Sequence, residues 1–212
     1  NLSWSRTKWG HYEQPSFNSA YDQWNSGLSG RWTNTRMGFH VLGRYESFEE
    51  IANAPYHSMT KGNGCILPGD YKYEDVNNDG YIDYKDMMPI GRTAYPELMY
   101  GLNLSLSWRG LDFSAFFQGA ALCQFTIPDY DLAAFQNGNT QLNCWGYFED
   151  RWHKADYSDP DSKWIAGRFP AIRDWADDSV NKYANDANMF EGAYLRLKNI
   201  ELGYTFKKAG LR

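Results

Sequence analysis

The chain has no long apolar run, and its 212 residues have a mean hydropathy of −0.67. No stretch approaches the ~20 consecutive apolar residues of a transmembrane helix, so a helical membrane protein is excluded. A barrel is not excluded by hydropathy, because only alternate residues of a barrel strand face lipid. The net charge is −5 and includes no basic excess, which makes nucleic acid an unsuitable partner.

Cysteine and histidine are also scarce. The three cysteines, Cys65, Cys123 and Cys144, form no CxxC or Cys/His pattern. They permit one disulfide whose pairing the sequence does not decide, and the four histidines are dispersed. No nucleophile–base pair is recognisable, so we expect no enzyme. The chain lacks a signal peptide and begins at Asn1 without Met, so we expect a fragment or a processed piece.

Aromatic residues are abundant, at 17% of the chain, and many fall in alternating segments. From Leu98 to Trp108 the even positions are apolar, while the odd positions are mostly small or polar. This period of two predicts a strand with one apolar face. Arg109–Gly110 supplies a tight turn, and the return strand repeats the alternation until Phe116 breaks its polar face.

Two further segments extend the pattern. Ile200, Leu202 and Tyr204 share one phase, whereas the apolar residues just upstream have the opposite phase. The switch at Lys198–Asn199 predicts a β-bulge or an exit from the membrane into a polar rim. Residues 1–9 are a candidate fourth strand, with Leu2, Trp4 and Arg6 in one phase.

Two fold classes fit these strands. A soluble sandwich could bury the apolar face in a core. A membrane barrel could turn it to lipid between aromatic girdles at Tyr100 and Trp108, because that segment spans about 20 Å along the membrane normal after tilting. The strand lengths favour an all-β fold that is part of a transmembrane antiparallel β-barrel with long extracellular loops. The alternative is a secreted, calcium-dependent, carbohydrate-binding β-sandwich module.

The loops of this interpretation are residues 10–97 and 122–190, which are rich in Gly, Asn, Asp, Pro, Trp and Tyr. Segments of this length are uncommon in compact soluble domains but normal on the outer side of bacterial barrels. We therefore expect strands at 1–9, 98–121 (a hairpin) and 191–206. One short helix is predicted at Ser47–Asn53, because Glu50 follows Ser47 at the spacing of a capping box.

The loop before the hairpin contains a calcium-type motif. Asp75, Asn77, Asp79, Gly80, Tyr81, Asp83 and Asp86 occupy positions 1, 3, 5, 6, 7, 9 and 12 of a twelve-residue segment. Hard oxygen ligands at alternate positions can wrap Ca²⁺, and position 7 ligates through its carbonyl. The motif departs from an EF-hand in having Asp86 in place of a bidentate Glu. It predicts a structural Ca²⁺ site at 75–86; the alternative is a solvated Asn-Asp-Gly turn.

Taken in order, several segments resemble the SusC/RagA family of TonB-dependent outer-membrane transporters of the Bacteroidota. The matching segments are GRYESFEEIANAP, GDYKYEDVNNDGYIDYKDMMPIG, YGLNLSLSWRGLDFSAFFQG, GRFPAIRDW and GAYLRLKNIELGYTFKKAGLR. The resemblance is strong over about 36–119 and 190–212 and looser between them. It implies a barrel of the 22-stranded type, of which this chain is a late, C-terminal segment without the plug or the final strands.

The resemblance further implies uptake of oligosaccharides or peptides, energised through TonB, in the outer membrane of a Gram-negative bacterium. The implied partners are a SusD-like surface lipoprotein, outer-membrane lipid, and the TonB complex through an N-terminal region that this chain lacks. Aromatic residues that could stack on sugar rings are Trp145, Tyr147, Trp152 and Trp164, together with Phe148 and Trp175. Loop packing or contact with the lipoprotein is the alternative role. The acidic pairs Asp129–Asp131, Asp159–Asp161 and Asp177–Asp178 are interpreted as solvated loop residues.

Overall fold

The computed structural model describes residues 1–127, 145–172 and 179–206, and its regular elements are mainly short strands. In chain order the strands are β1 (Leu2–Trp4), β2 (Thr35–Gly38), β3 (Val41–Arg44), β4 (Tyr56–His57), β5 (Tyr71–Tyr73), β6 (Tyr81–Ile82), β7 (Met88–Arg92), β8 (Leu98–Trp108), β9 (Leu111–Ala121), β10 (Gln124–Thr126), β11 (His153–Lys154), β12 (Trp164–Ile165), β13 (Met189–Glu191) and β14 (Tyr194–Tyr204). The α-helices are α1 (Ala20–Ser26) and α2 (Phe48–Ala52). Within the described ranges, no helix is both long enough and apolar enough to span a bilayer.

The largest sheet has four antiparallel strands in the order β1-β8-β9-β14. The central hairpin pairs β8 with β9 over all eleven residues of each strand, from Leu98–Ala121 to Trp108–Leu111. Arg109 and Gly110 form its turn, with φ of 49° and 88°. Two consecutive positive φ angles give a turn whose twist matches that of the strands, which is how a two-residue connection closes this hairpin.

A β-bulge in β14 keeps one face of this sheet apolar. The register with β9 shifts between Leu197 and Asn199, at the place where the sequence pattern changes phase. Leu197 therefore pairs with Phe117 and Ile200 with Ala115, on the same face, although one position is odd and the other even. The bulge predicted at Lys198–Asn199 is confirmed, and it aligns both apolar runs of β14.

The two faces of the sheet differ sharply. On the apolar face, Leu104, Leu106 and Leu202 are 44%, 67% and 73% exposed. On the opposite face, the hydroxyl of Ser107 donates to Asp112 at 2.6 Å, and the Asn199 amide donates to Glu201 at 2.6 Å. The described residues provide no second layer over the apolar face, which a soluble sandwich would require.

The chain leaves the sheet twice, in residues 5–97 and 122–193, at the end opposite the Arg109–Gly110 turn. We call these two segments the first and second excursions, and their described parts together the cap. The cap contains five two-stranded sheets: β2–β7, β3–β5, β4–β6, β10–β13 and β11–β12. Its main core consists of side chains at most 4% exposed: Phe39, Tyr45, Ile51, Ile66, Tyr71, Tyr73, Ile82 and Val180. These residues come from both excursions of the chain.

Buried polar side chains join the two excursions. Asn181 donates from Nδ2 to Asp70 at 2.7 Å, and its Oδ1 accepts the backbone N–H of Tyr71 at 2.9 Å. Tyr71 also donates its hydroxyl to Asn188 at 2.6 Å. Residues more than 100 positions apart thereby satisfy one another in the interior, where an unpaired polar group would be destabilising.

A buried carboxylate connects the cap to the four-stranded sheet. The Glu97 side chain is 4% exposed and lies 3.1 Å from Arg6 Nε and 3.5 Å from Arg92 Nε. It also accepts a hydrogen bond from Asn34. The Glu97 carbonyl accepts from Ser5, which extends the pairing of β1 and β8 by one step. This cluster fixes the first excursion where it leaves and rejoins the sheet.

The structure refines several boundaries expected from the sequence. The N-terminal strand covers Leu2–Trp4 only, and the last strand begins at Tyr194 after the separate strand β13. The predicted helix is present as α2, with the Ser47 hydroxyl accepting from Glu50 N at 3.1 Å. The long segments are not irregular as expected, because they contain a shared core that local sequence patterns do not reveal.

The buried His57 makes cap stability depend on pH. His57 is 1% exposed, packs between the rings of Tyr73 and Tyr183, and has no hydrogen-bond partner on either ring nitrogen among the described residues. Burial lowers its pKa from 6.5 to about 4. Because the folded pKa is below the unfolded one, cap stability is retained above pH 6.5 and falls as the pH drops towards 4, by roughly 3 kcal/mol.

Hydrogen exchange of the cap amides between pH 7 and pH 4 measures this effect. We expect His57→Phe to remove the decline, because a buried phenyl ring has no proton to gain. The matched control is His11→Phe at an exposed site, which should leave the decline intact. An unchanged pH dependence in His57→Phe would contradict the assignment.

Candidate functional site

The acidic segment 75–86 forms a turn between β5 and β6 and then a short 3₁₀ turn at Tyr84–Asp86. Asn78 and Gly80 both have left-handed backbone conformations, with φ of 56° and 82°. Asn and Gly are the residue types that adopt this region most readily, so the sequence Asn-Asp-Gly fits the sharp turn.

The side chains of the turn bond to its own backbone. Asp75 accepts from Gly80 N at 2.8 Å, Asn77 accepts from Asp79 N at 3.0 Å, and Asp79 accepts from Tyr81 N at 2.9 Å. The bonds of Asn77 and Asp79, each to the backbone N–H two residues on, are Asx turns. The bond of Asp75 spans five residues and closes the turn around them. These bonds use one acceptor position on each oxygen and leave lone pairs that a cation could use.

Asp86 is held differently from the other acidic residues. It is 1% exposed and accepts from Val76 N at 3.0 Å and from Asp83 N at 2.8 Å. Asp83 in turn accepts from Lys85 N, which completes a capping box around the 3₁₀ turn. Burial, with a smaller contribution from Asp75, raises the pKa of Asp86 above its usual value. A cation close to this carboxylate would oppose that shift.

The described residues include no group of three or more His, Cys, Asp or Glu side chains arranged to hold a metal ion. The backbone of the segment thus has the turn that a calcium loop needs, while the carboxylates of Asp75, Asp79, Asp83 and Asp86 are directed to backbone N–H groups. Tyr81, expected to ligate through its carbonyl, has an exposed side chain whose ring centroid lies 6.0 Å from that of Tyr56.

The segment is anchored to the rest of the cap. The fully buried Ile82 enters the main core, and its carbonyl accepts from Ser58 N at 3.1 Å. On the other side, helix α1 donates from Asn25 Nδ2 to the carbonyl of Met87 at 2.6 Å, and from Tyr21 to the carbonyl of Lys85. A change in the loop would therefore be transmitted to both α1 and the core.

The four aromatic residues proposed to contact substrate have different environments. Trp152 and Trp164 lie with ring centroids 6.1 Å apart, and Trp164 Nε1 donates to the carbonyl of Glu46 at 3.0 Å. Tyr147 is partly buried and packs against Phe169, with ring centroids 4.8 Å apart, in a second small core. Trp145 is exposed at the start of a 3₁₀ turn.

Several residues singled out in the sequence fall outside the described ranges: Trp175, Cys144, Asp129–Asp131 and Asp177–Asp178. Asp159 and Asp161 form a solvated turn, in which Asp161 N donates to Asp159 at 2.9 Å. Sequence reasoning missed Glu97, although an acidic residue directly before an apolar strand was a usable signal.

Comparison with known proteins adds to this geometry. The chain is similar to TonB-dependent receptor P26 of Formosa agariphila, 26% identical over 171 residues that cover 79% of the chain and 15% of the relative. It is also similar to TonB-dependent receptor P3 of the same organism, 24% identical over 177 residues, with 82% and 15% covered. No family model matches the chain. The chain spans about 15% of the length of these curated relatives.

The fold belongs to the all-β class, because its main element is an antiparallel sheet of long strands with one apolar and one polar face. The described strands do not form a closed barrel. Both relatives are TonB-dependent receptors, and the similarity over about 80% of this chain is consistent with a partial segment of such a receptor. These receptors are β-barrel proteins of the outer membrane of Gram-negative bacteria, so the predicted barrel class and localisation are confirmed. The SusC/RagA subtype stays a prediction.

Proposed function

We propose that this chain is a late barrel segment of a SusC/RagA-type importer that takes up oligosaccharides or peptides with energy supplied through TonB. The observation that carries the proposal is the four-stranded sheet with one continuous apolar face, whose long connections all leave from one end. The chain leaves this end at residues 4, 97, 121 and 193, whereas Arg109–Gly110 closes the opposite end with two residues. Long connections on one side and short turns on the other are typical of outer-membrane barrels.

The apolar face is proposed to contact lipid, and the opposite face the lumen or plug. On this assignment Trp108 and Tyr204 lie at the lipid interface, while Asp112 and Glu201 point inward. The support is the register, which places Leu106, Phe113 and Leu202 side by side across three strands. In lipid an exposed sheet face of this composition is stable, whereas in water it would be an aggregation site.

The first test changes the two faces of β8 separately. Leu104→Arg places a charge on the lipid face near the bilayer midplane and should destabilise the inserted receptor by about 2–4 kcal/mol. Ser105→Arg, one residue away on the opposite face, is the matched control and should cost much less. Urea unfolding of the complete receptor in lipid vesicles measures both. Equal costs would contradict the assignment of faces, and full extraction of the receptor without detergent would favour the sandwich module.

The cap is proposed to be extracellular and to contact a SusD-like surface lipoprotein, while TonB acts through a region outside this chain. The support is that both excursions share one core, which gives a partner an ordered surface. The proposed task is binding and gating, not catalysis.

Proteolysis of intact cells tests the orientation, and the exposed turn at Asp159–Asp161 should be cleaved without permeabilisation. Cleavage only after the outer membrane is opened would reverse the orientation.

We also propose that the 75–86 segment binds one Ca²⁺ as a structural staple, through Asp75, Asn77, Asp79, the Tyr81 carbonyl, Asp83 and Asp86. The support is the spacing of the oxygen donors, the left-handed Gly80, and the crowding of four carboxylates in one short turn. Binding would require these carboxylates to exchange some backbone N–H partners for the ion. Mg²⁺ fits less well, since it demands stricter octahedral geometry.

Asp79→Ala tests the calcium proposal because Asp79 is exposed and its loss leaves Asp86 and the core in place. We expect the variant to lose bound calcium, measured by elemental analysis after dialysis, and to show faster hydrogen exchange over 66–97 while the barrel remains folded. Asp159→Ala, in another exposed acidic turn, is the control. A wild-type receptor that retains no calcium would overturn the proposal.

A further inference from the structure

A cavity of about 340 Å³ lies where the cap meets the four-stranded sheet. Its lining includes Met99, Gln118 and Tyr194 from the sheet, and Cys123, Gln124 and Phe125 from the start of the second excursion. The volume is at the lower end of the range of small-molecule sites. No sequence motif pointed to this place, and it is separate from the acidic loop.

The strand register fixes the side on which the cavity opens. Met99 and Tyr194 both pair with Ala120, so the three residues share a face. That face is the one opposite Leu98, Leu102 and Leu104, because adjacent residues of a strand point to opposite sides. If the apolar face contacts lipid, as proposed above, the cavity lies on the pore side at the mouth of the barrel.

Two aromatic rings border the cavity and remain partly open. Tyr194 is 44% exposed and Phe125 is 49% exposed. Phe125 stacks on Phe190 at 5.4 Å with an interplanar angle of 17°, which fixes its orientation. The Arg196 guanidinium lies 5.4 Å from the Tyr194 ring and covers part of it. These rings offer flat apolar surface held in place before any ligand arrives.

The polar groups of the lining are neutral. Gln118 is exposed, and Gln124 is held by the backbone N–H of Arg92, which donates to its Oε1 at 2.8 Å. An amide side chain both donates and accepts, as a hydroxyl group does. Among the described residues the side chains that line the cavity are all uncharged. Two charges lie just outside the lining, with Arg196 over the Tyr194 ring and Glu191 near Cys123.

We infer that this cavity is a subsite for one neutral sugar ring of an oligosaccharide entering the barrel. A sugar ring combines an apolar C–H face with a rim of hydroxyl groups, which matches aromatic surface bordered by amides. The inference rests on the proposed import function and selects the oligosaccharide among its two substrate classes. Tyr194 and Phe125 would contact the ring face, and Gln118 would bond to its hydroxyls.

Cys123 provides a reporter already in the cavity wall. It is buried, and that burial, followed by the charge of Glu191, raises the pKa of its thiol. Both effects make alkylation of Cys123 slow in the empty cavity. A ligand in the cavity should slow it further, because it blocks access to the thiol. The complete receptor in detergent, with Cys123 as its only cysteine, is treated with N-ethylmaleimide in the presence of malto-, cello-, xylo- or manno-oligosaccharides, or of short neutral peptides.

We expect at least one of these oligosaccharides to slow alkylation of Cys123 about fivefold or more, and the peptides to have no effect. Tyr194→Ala and Gln118→Leu should each abolish the protection, while Tyr157→Ala, at an exposed tyrosine elsewhere in the cap, should preserve it. Gln118 is on the surface of the sheet, so its replacement also tests the site if Tyr194→Ala folds poorly.

Protection by peptides alone, protection by none of these oligosaccharides, or protection that survives both cavity variants would overturn the inference. Membrane insertion of the same receptor and variants, measured before solubilisation as resistance to extraction without detergent, separates this result from the proposed function. An inserted receptor without protection overturns the sugar subsite only, whereas a receptor that does not insert overturns the importer proposal itself.

Discussion

The constraint on which the structure depends is that backbone N–H and C=O groups in a hydrocarbon layer need partners within the protein. Strands β8 and β9 meet it by pairing along their full lengths, and β14 continues the ladder on the other side of β9. Once the backbone is paired, the faces are set by alternation alone. One face can then be apolar throughout, and the opposite face can carry Ser107, Asp112 and Glu201, which on the proposed assignment of faces keeps them away from lipid.

Side chains alternate between the two faces of a strand, so one extra residue moves every side chain beyond it to the other face. The bulge in β14 absorbs such an extra residue. Without the bulge, Leu195 and Leu197 would lie on the polar face and Lys198 would move towards the apolar one. The register shift between Leu197 and Asn199 corrects both at once. A local backbone irregularity thus protects a property of the whole sheet, and its signature was readable as a change of phase in the sequence.

Features that depend on neighbouring residues were predictable, and features that depend on distant ones were not. The hairpin, its Arg109–Gly110 turn, the bulge and the Ser47 cap all follow from period or spacing within a few residues. The cap does not, because its interior is formed by pairs such as Asn181 with Asp70, which are 111 positions apart. A single Asn in a loop carries no local sign that it will be buried, so both excursions were expected to be irregular.

Within the acidic segment 75–86, too, the features set by neighbouring residues were predictable and those set by distant residues were not. Spacing correctly anticipated a sharp turn at Gly80, since a left-handed residue is a local requirement. It could not anticipate that Asp86 would be buried and bonded to Val76 and Asp83, because that burial depends on how Ile82 and α1 pack around the turn. The spacing of the acidic residues therefore defines which oxygens could bind an ion. The packing of the surrounding cap determines whether those oxygens bond to backbone N–H groups or to an ion.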